Sequence, residues 1–592
     1  MASFLKHFRQ LSGLTLVSRI AGFVRDAALA HVLGAGQVMD AYAQAFVIPN
    51  LLRRLFGEGA LSAAFIPVFT DYLESGDRKA ANRFMSLMIV LVVTLLAALT
   101  LAAEGVFLVL RHFTEHLPKW HLIFGLAAVM FPFAITICLV ALLQAALNCR
   151  RHFVTPALAP IVLNLFIIGG AVAAGVWVTD NSVAQVYIIA GTIVAAGLVQ
   201  VAIQVPALVK KGLRFRPVWN LRHPGLARVL VLFGPMVLAV GIVQINTFMD
   251  STIANVLSPY EVGRTTFHVG SREIAYPMET GAASMLYYGQ RLYNFPLGVF
   301  AIALATVIFP ELSRRAVRKD LAGVGRVASH GLRLTVFIAV PAAVGLMLLS
   351  EPLLRLWLGH GRFAQDPQAV VRAAWVAQVY AAGIWAYSAN HIFVRTFYAM
   401  EDTRTPLRLA MLAAVMNFGL NLLLVWPLAE GGLALATVAS AVFQFVALSA
   451  ILSRRVAHLE WRALASTAAR TLLATAVMGA AVWGLLHRDQ AAEWITDLIL
   501  NRCPSWCPDI VQNTIGIAVW EVHHAINWLA PDTYLIGRPK LLALLFEGVG
   551  VGAAAFLAVA RLLGMTELKD LLTRTAPEPD EADPLDPDAL PR

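Results

Sequence analysis

Apolar runs of about twenty residues recur along most of the chain, and they constrain its fold more than any other feature. A helix of that length crosses the hydrocarbon core of a bilayer and satisfies its own backbone hydrogen bonds there. The pattern predicts about fourteen membrane helices. They lie at 11–33, 38–66, 84–110, 122–148, 155–178, 183–206, 227–257, 284–312, 328–350, 370–398, 406–427, 431–452, 464–486 and 540–563. We therefore expect an all-α polytopic membrane protein.

Lysine and arginine are concentrated in the loops on one side of these predicted helices. If the N-terminus is cytoplasmic, the loops that join even-numbered to odd-numbered helices carry the excess, notably within 210–228 and 314–326. Cytoplasmic loops hold such an excess in membrane proteins, so both termini are predicted to be cytoplasmic. The net charge of +10 is spread over short loops, without a soluble basic domain, which argues against nucleic-acid binding.

An internal repeat is visible in the first and seventh predicted helices. The segment RDAALAHVLG at 25–34 aligns with MDSTIANVLS at 249–258, so that Asp26 corresponds to Asp250. The alignment predicts two pseudo-symmetric six-helix halves with the same topology, followed by two further helices. Because substrates commonly bind at the interface between such repeats, we expect a transporter with a central cleft.

Four regions are predicted along the chain. They are a first half at 1–210, a second half at 211–455, helices 13 and 14 within 456–575, and an acidic, disordered tail at 576–592. Two long segments, 259–285 and 488–539, are expected to face outward as a cap or as a surface that docks a partner. The second contains Cys503 and Cys507, which form either a small disulfide or two free thiols.

Charged residues inside apolar runs are the main clue to function. Each costs about 2.5 to 3.5 kcal/mol at the centre of a membrane helix, so packing, water or a ligand must offset the cost. The residues in question are Arg19, Arg25, Asp26, Asp40, Arg53, Arg54 and Glu58 in the first two predicted helices, and Arg291 in the eighth. Arginines exceed acids in this set, and guanidinium groups bind phosphate well, so we expect a cavity for an anion. The alternative is a set of ion pairs that only lock helices together.

Helical spacing suggests which of these charges meet. Arg19 and Asp26 are seven residues apart and share a helix face, whereas Arg25 is expected to point about 100° away from Asp26. Arg54 and Glu58 are four residues apart and can pair.

Residues 12–73 contain the runs SRIAGFVRDAALAHVLGAG, MDAY and PNLLRRLFGEGALSAAFIPVF, and YYGQRLYNFPLGV and FPELS follow later in the chain. Together these runs resemble the MurJ (MviN) family of bacterial lipid II flippases. It implies the fold of the multidrug/oligosaccharidyl-lipid/polysaccharide exporters, with a cationic central cavity for the pyrophosphate and sugar head group and a groove near the last two helices for the polyprenyl tail. The family's essential arginines fall on Arg19, Arg25, Arg53 and Arg291.

Two further expectations come from the same resemblance. Some relatives carry acids at the positions of Gln290 and Asn294, and their absence here leaves Arg291 less neutralised and puts a proton-coupling role for these positions in doubt. Some family members also hold a sodium ion, and the resemblance places its ligands at Asp250, Asn417, Asn421 and Thr437. Oxygen ligands suit a hard cation. The alternative is that the two asparagines only form hydrogen bonds between packed helices.

The predicted function is translocation of lipid II across the bacterial cytoplasmic membrane by alternating access, without bond cleavage and without a cofactor. Membrane lipids and cell-wall synthesis proteins are the other expected partners, and the driving force is the membrane potential, sodium or protons. Three alternatives stay open. They are an exporter of another polyprenyl-linked oligosaccharide or of drugs, a membrane phosphatase that uses His31 or Asp40, and a scaffold for wall-synthesis enzymes.

Overall fold

The computed structural model describes residues 2–57, 60–150, 152–178, 181–261, 263–269, 271–456, 459–487 and 538–572. Glu58, Cys503, Cys507, the tail at 576–592 and most of the segment 488–539 therefore lie outside the described residues, and the predictions made for them stay predictions.

Helices account for nearly all of the described chain. The first nine are α1 (Ala2–Leu33), α2 (Gln37–Leu52), α3 (Ala60–Glu74), α4 (Arg78–Phe113), α5 (Pro118–Met130), α6 (Phe133–Cys149), α7 (Val154–Trp177), α8 (Ser182–Lys210) and α9 (Pro224–Val256). They are followed by α10 (Ala282–Pro296), α11 (Ile302–Val317), α12 (Leu321–Leu358), α13 (Pro367–Ala382), α14 (Ile384–Ala399), α15 (Arg404–Leu428), α16 (Glu430–Arg455), α17 (Trp461–Leu486), α18 (Arg538–Leu562) and α19 (Thr566–Leu572).

Each predicted membrane helix coincides with one of these helices or with a pair of them. Two predicted helices are bent, by 41° between α5 and α6 and by 42° between α13 and α14. The first bend lies at Pro132, which has no N–H to continue the helix, and the second lies at Gly383. Among the described residues, nine helices are long and apolar enough to cross a membrane, or up to eleven with the bent pairs. The all-α membrane fold is confirmed, but the count of fourteen crossings is not.

The second and eighth predicted helices are interrupted in the same way. A π-helical turn at Arg53–Gly57 follows α2, and another at Leu297–Ala301 follows α10. A proline precedes each turn, Pro49 in α2 and Pro296 in α10. Such turns are often found at functional sites. An interruption at the same helix of each half is what a repeat would produce.

The chain forms two compact units. The first contains Met1–Arg291, Trp357–Tyr380 and Leu407–Phe443, and the second contains Leu292–Leu356, Ala381–Pro406 and Gln444–Arg592. This division does not follow the predicted boundary between residues 210 and 211, so the two-half repeat stays a prediction about the sequence.

Small residues bring helices of the first unit close together. A Cβ atom added to Gly170 of α7 would lie 2.5 Å from Thr192 Oγ1 of α8, and one added to Gly197 of α8 would lie 2.1 Å from Thr136 Oγ1 of α6. Close backbone approach of this kind is typical of helix packing in membranes. Large apolar side chains instead face outward, with Trp177 at 78% and Val307 at 74% exposure, as a lipid-facing surface requires.

The predicted outward segment at 259–285 contains the two strands that the structure describes. Strand β1 (Thr266–Val269) pairs with β2 (Arg272–Ala275) in an antiparallel hairpin, with Thr266 opposite Ala275. Beside the hairpin, the guanidinium of Arg264 lies 4.5 Å from the centre of the Tyr260 ring.

In the second unit, the short helix α19 is held against α12 and α17 by one carboxylate. Glu567 is only 3% exposed and accepts hydrogen bonds from Arg333 Nε at 2.8 Å and from Thr467 Oγ1 at 2.8 Å. Apolar side chains of α12, α17 and α18 pack beside it, among them Phe337, Met478 and Phe556. The contacts join the end of the described chain to the core of its unit.

We expect replacement of Glu567 by alanine to destabilise the protein by about 3 kcal/mol, because it leaves the Arg333 charge without its partner. Denaturation of the purified protein in detergent measures the loss. Asp570→Ala in the same helix is the control, since its carboxylate is 40% exposed and 4.0 Å from His330 Nε2 and should contribute about 0.5 kcal/mol or less. Equal losses in the two variants would contradict the assignment.

Candidate functional site

Arg25 and Asp26 of α1 form the centre of a buried charged cluster in the first unit. Arg25 donates to Asp26 Oδ1 from Nε at 2.8 Å and from Nη2 at 2.6 Å, and it donates to Asn164 Oδ1 of α7 at 3.0 Å. The two charged side chains are 10% and 3% exposed. The expectation that Arg25 points away from Asp26 is wrong, because the long side chain turns back to a carboxylate that strongly attracts it in a medium of low polarity.

Arg291 and Tyr287 of α10 complete the cluster. Arg291 Nε lies 3.2 Å from Asp26 Oδ2, and Arg291 Nη2 donates to the Tyr287 hydroxyl at 3.0 Å. That hydroxyl donates to Asp26 Oδ1 at 2.8 Å and accepts from Arg25 Nη2 at 3.3 Å. The Arg291 guanidinium also lies 4.7 Å from the centre of the Tyr287 ring, a favourable cation–π distance.

The cluster keeps an excess of positive charge. Two guanidinium groups share the single carboxylate of Asp26, and a carboxylate can accept from both. Arg291 is 34% exposed, whereas Asp26 is almost fully covered. A bound anion would therefore reach Arg291 first, and it would find N–H donors that the carboxylate does not occupy. The chemistry supported by this geometry is reversible anion binding.

The other predicted site arginines do not join this cluster. Arg53 and Arg54 lie in the π-helical turn, where Arg53 Nε donates to Asn50 Oδ1 at 2.8 Å and Arg54 Nη1 donates to Gln244 Oε1 at 3.0 Å. Arg19 is partly exposed on α1 and forms no ion pair with another described residue. The shared face predicted for Arg19 and Asp26 thus does not produce a contact. The role of these three arginines in binding stays a prediction.

Asp40 is engaged at a helix terminus. It is fully buried and accepts from the backbone N–H groups of Gly281 at 2.9 Å and Ser284 at 2.7 Å, and from Ser284 Oγ at 2.6 Å. These groups form the first turn of α10, whose N–H groups need acceptors and whose dipole favours a negative charge. The contact fixes the helix that carries Arg291. The substrate contact that the sequence predicts for Asp40 stays a prediction.

A lysine forms the matching contact at the end of α9. Lys119 is 1% exposed, and its Nζ donates to Ser258 Oγ at 2.8 Å and to the carbonyl oxygens of Ser258 and Pro259 at 3.3 and 3.4 Å. Positive charge is favoured at the C-terminal end of a helix. Lys119 was not predicted from the sequence, because it directly follows a loop, where lysine is common.

The four residues of the predicted sodium site lie together in the first unit. Asn421 Nδ2 donates to Asp250 Oδ1 at 2.6 Å, Thr437 Oγ1 donates to Asp250 Oδ2 at 3.3 Å, and the Asn417 amide lies 3.2 Å from Thr437 Oγ1. Asp250 is 3% exposed, and no cationic side chain pairs with it among the described residues. Asn421 Oδ1 is buried without a hydrogen-bond donor among the described residues. A hard cation fits this set of oxygen atoms and the unpaired charge.

Two polar residues of the arginine cluster were not identified from the sequence. Tyr287 lies four residues before Arg291, so the helical spacing could have placed both on one face. Asn164 lies in an otherwise apolar stretch of α7, and its Nδ2 also donates to the carbonyl of Ser18 at 3.2 Å. Gln290, one residue before Arg291, donates to the Tyr380 hydroxyl at 3.1 Å.

A family model and two named relatives point to the same protein family. A family model described as "Lipid II flippase MurJ" matches residues 29–503. A protein of Vibrio cholerae serotype O1 named "Probable lipid II flippase MurJ" is 32% identical over 580 residues, which cover 95% of this chain and 97% of that protein. The "Lipid II flippase MurJ" of Burkholderia cenocepacia is 30% identical over 72% of this chain and 79% of its own length.

Solved structures show the same fold. "Lipid II flippase MurJ, inward closed conformation" superimposes with a TM-score of 0.63 at 22% identity, over 88% of this chain and 98% of that one. An inward-facing multidrug resistance MATE family transporter of the MOP superfamily gives a TM-score of 0.60 at 13% identity, over 74% of this chain. At these identities the similarity concerns the fold alone, and it agrees with the exporter fold expected from the sequence.

We expect Tyr287→Phe to destabilise the protein by about 2 kcal/mol, because Asp26, Arg25 and Arg291 each lose a buried hydrogen-bond partner. Thermal denaturation in detergent measures the change. The control is Tyr288→Phe, which removes a single 3.5 Å bond to the Gly34 carbonyl and should cost less than about 1 kcal/mol. If Tyr287→Phe were no less stable than the control, the shared hydroxyl would not hold the cluster together.

Proposed function

The chain belongs to the MurJ family of lipid II flippases, and from this premise we propose that it moves lipid II from the inner to the outer leaflet of the bacterial cytoplasmic membrane. The observation that supports this most directly is the pair of arginines, Arg25 and Arg291, held around one carboxylate. The pyrophosphate of a polyprenyl-linked precursor carries negative charge and several acceptor oxygens. Guanidinium groups bind such oxygens through paired N–H donors.

In this proposal Asp26 is the counter-ion of both arginines before the substrate binds. Its negative charge offsets part of the desolvation cost of the two guanidinium groups. A phosphate oxygen then takes over the donors of Arg291 that face the opening, while Arg25 stays bound to Asp26 and Asn164. Because the carboxylate competes for the same donors, binding is weak enough for release. The substrate is bound and released with no bond broken, so the protein acts as a transporter and not as an enzyme.

Alternating access supplies the route across the membrane, and the coupling ion supplies the direction. The cycle begins with capture of the head group from the cytoplasmic side, which is followed by reorientation and release outside. We propose that both termini are cytoplasmic, because the exposed basic residues next to α4 and α8, including Lys79, Lys210 and Lys211, then lie on the side where positive loops are favoured. An exporter of cationic drugs is disfavoured, because two arginines would repel such a substrate.

We propose sodium as the coupling ion, because a buried carboxylate lies among several neutral oxygen atoms. Asp250, Asn417, Asn421 and Thr437 would hold the ion, with the buried Asn421 Oδ1 and the carboxylate of Asp250 among its oxygen ligands. The ion would supply the positive charge that this buried carboxylate lacks.

We expect sodium to stabilise the purified protein against heat more than potassium does. At a concentration ten times its Kd, sodium should add about 1.4 kcal/mol. Asp250→Asn should abolish the difference between the two salts, whereas Asp71→Asn, which changes a carboxylate that is 56% exposed and paired with Arg228, should leave the difference unchanged. An equal response of Asp250→Asn and the unmodified protein would rule out this ion site.

We expect Arg25→Ala and Arg291→Ala to lower flipping of lipid II in reconstituted vesicles by roughly 10- to 100-fold. Arg291→Ala removes charged hydrogen bonds to the pyrophosphate, and Arg25→Ala removes the positive charge that holds Asp26 and leaves the site without its net positive charge. Arg291→Lys keeps the charge without the paired donors and should fall between these variants and the unmodified protein. Arg228→Ala is the control, as its side chain is 58% exposed and pairs with Asp71 at the surface. Undiminished flipping by Arg291→Ala in folded protein would refute the proposed site.

A further inference from the structure

A groove in the first unit is separate from the arginine cluster. It is bounded by α4, α6 and α8 and encloses about 260 Å³. Its lining is almost entirely aliphatic, with Ile89 from α4, Leu139 and Leu143 from α6, and Val201 and Val205 from α8. Because these side chains offer no hydrogen bonds, the groove suits a hydrocarbon chain. The volume is near the lower end of the roughly 300 to 1,000 Å³ usual for ligand pockets, so a narrow ligand fits better than a bulky one.

Residues 212–216, which we call the strap, close one end of the groove, and Arg214 places a positive charge there. Helix α8 ends in a Schellman motif, in which Gly212 has a φ of +79° and the N–H groups of Gly212 and Leu213 donate to the carbonyls of Val209 and Leu208 at 2.9 and 3.0 Å. Leu213 turns inward and is 4% exposed, and the chain then crosses α4. Arg214 contributes to the lining at this end while it stays exposed.

Hydrogen bonds to α4 fix the position of this strap. Asn82 of α4 accepts from the Arg214 backbone N–H at 3.3 Å and donates to the Gly212 carbonyl at 3.4 Å, and Ser86 Oγ accepts from the Arg216 N–H at 3.0 Å. The backbone of Arg214 is therefore held beside the groove, while its side chain is exposed and free to meet a ligand.

The surface around the strap is strongly basic. Its exposed cationic residues are Arg78, Lys79, Arg83, Lys210, Lys211, Arg214 and Arg216. Asp77 lies in the same region, but it accepts from the N–H groups of Lys79 and Ala80 and caps α4. Burial and, as a smaller effect, the nearby charge of Lys211 lower the pKa of His152 at this end of the unit.

We propose that this groove binds an acidic phospholipid, with one acyl chain between α4, α6 and α8 and the phosphate group against Arg214. In the topology proposed above, the strap lies at the cytoplasmic surface, so the lipid comes from the inner leaflet. Basic residues at that surface favour anionic head groups, and the aliphatic groove distinguishes a lipid from a free phosphate. The site is distinct from the one proposed for lipid II, and its occupant would act as a bound structural lipid.

The test uses the full chain purified in detergent, with the melting temperature and native mass spectrometry as measurements. We expect phosphatidylglycerol to bind and to raise the melting temperature, whereas phosphatidylcholine and glycerol phosphate do not. Arg214→Gln should weaken phosphatidylglycerol binding roughly tenfold, because it removes a charged hydrogen bond. Arg222→Gln, an exposed loop residue outside the lining, should bind like the unmodified protein.

A second pair of variants tests the acyl chain. Val205→Trp would fill the groove from a position that is 46% exposed, so folding should be preserved, and Leu198→Trp is its control on the same helix, at 61% exposure and outside the lining. Loss of phosphatidylglycerol binding in Val205→Trp alone would support the site. Equal binding of phosphatidylcholine, binding of glycerol phosphate, or unchanged binding by Val205→Trp would overturn it. Flipping of lipid II by these variants is measured in parallel, so that failure of either proposal is recognised separately.

Discussion

The proposed site depends on the ion pairs that the Asp26 carboxylate forms with two arginines. The carboxylate lies between two arginines from different helices, Arg25 of α1 and Arg291 of α10, and it is only 3% exposed. Without it, two like charges would be held close together in a medium of low polarity, at a cost of several kcal/mol for each desolvated ion. With it, one net positive charge is left, which is large enough to attract a phosphate and small enough for the protein to fold around it.

The helices that carry these charges are positioned through their ends. Asp40 binds the first turn of α10, and Lys119 binds the carbonyl groups that follow α9. The Asp40 contact satisfies N–H groups that a helix cannot satisfy internally, and both contacts place the charge of the sign that the helix dipole favours. A buried charge used in this way costs less than an unpaired one, and it ties helices that are far apart in sequence. The position of Arg291 relative to Asp26 is thus set by contacts outside the cluster.

The sequence predicted the helices well because their cause is local. Twenty apolar residues in succession mark a membrane helix wherever they occur, and a proline or glycine such as Pro132 or Gly383 marks a bend. Charges such as Arg25 and Arg291 were equally visible, since they are costly inside apolar runs. Tyr287 and Asn164 were not visible in this way, because a single neutral polar side chain costs less free energy in a membrane helix than a charged one and is more common there. Contacts between helices, such as the separation of Arg53 from Arg25, depend on packing that no local pattern records.

Asp26 and Asp250 correspond in the internal alignment, yet their surroundings differ in charge. Asp26 is shared by two arginines, whereas Asp250 meets the amide of Asn421 and the hydroxyl of Thr437, which leave its negative charge uncompensated. In the proposed sites, the same carboxylate position serves opposite specificities, an anion where arginines surround it and a cation where only neutral groups do. In the predicted repeat, the two copies of one helix would differ in this property through the neighbours of one residue. The proposed coupling of an ion to a lipid phosphate would then need no new fold, only a difference between the two copies.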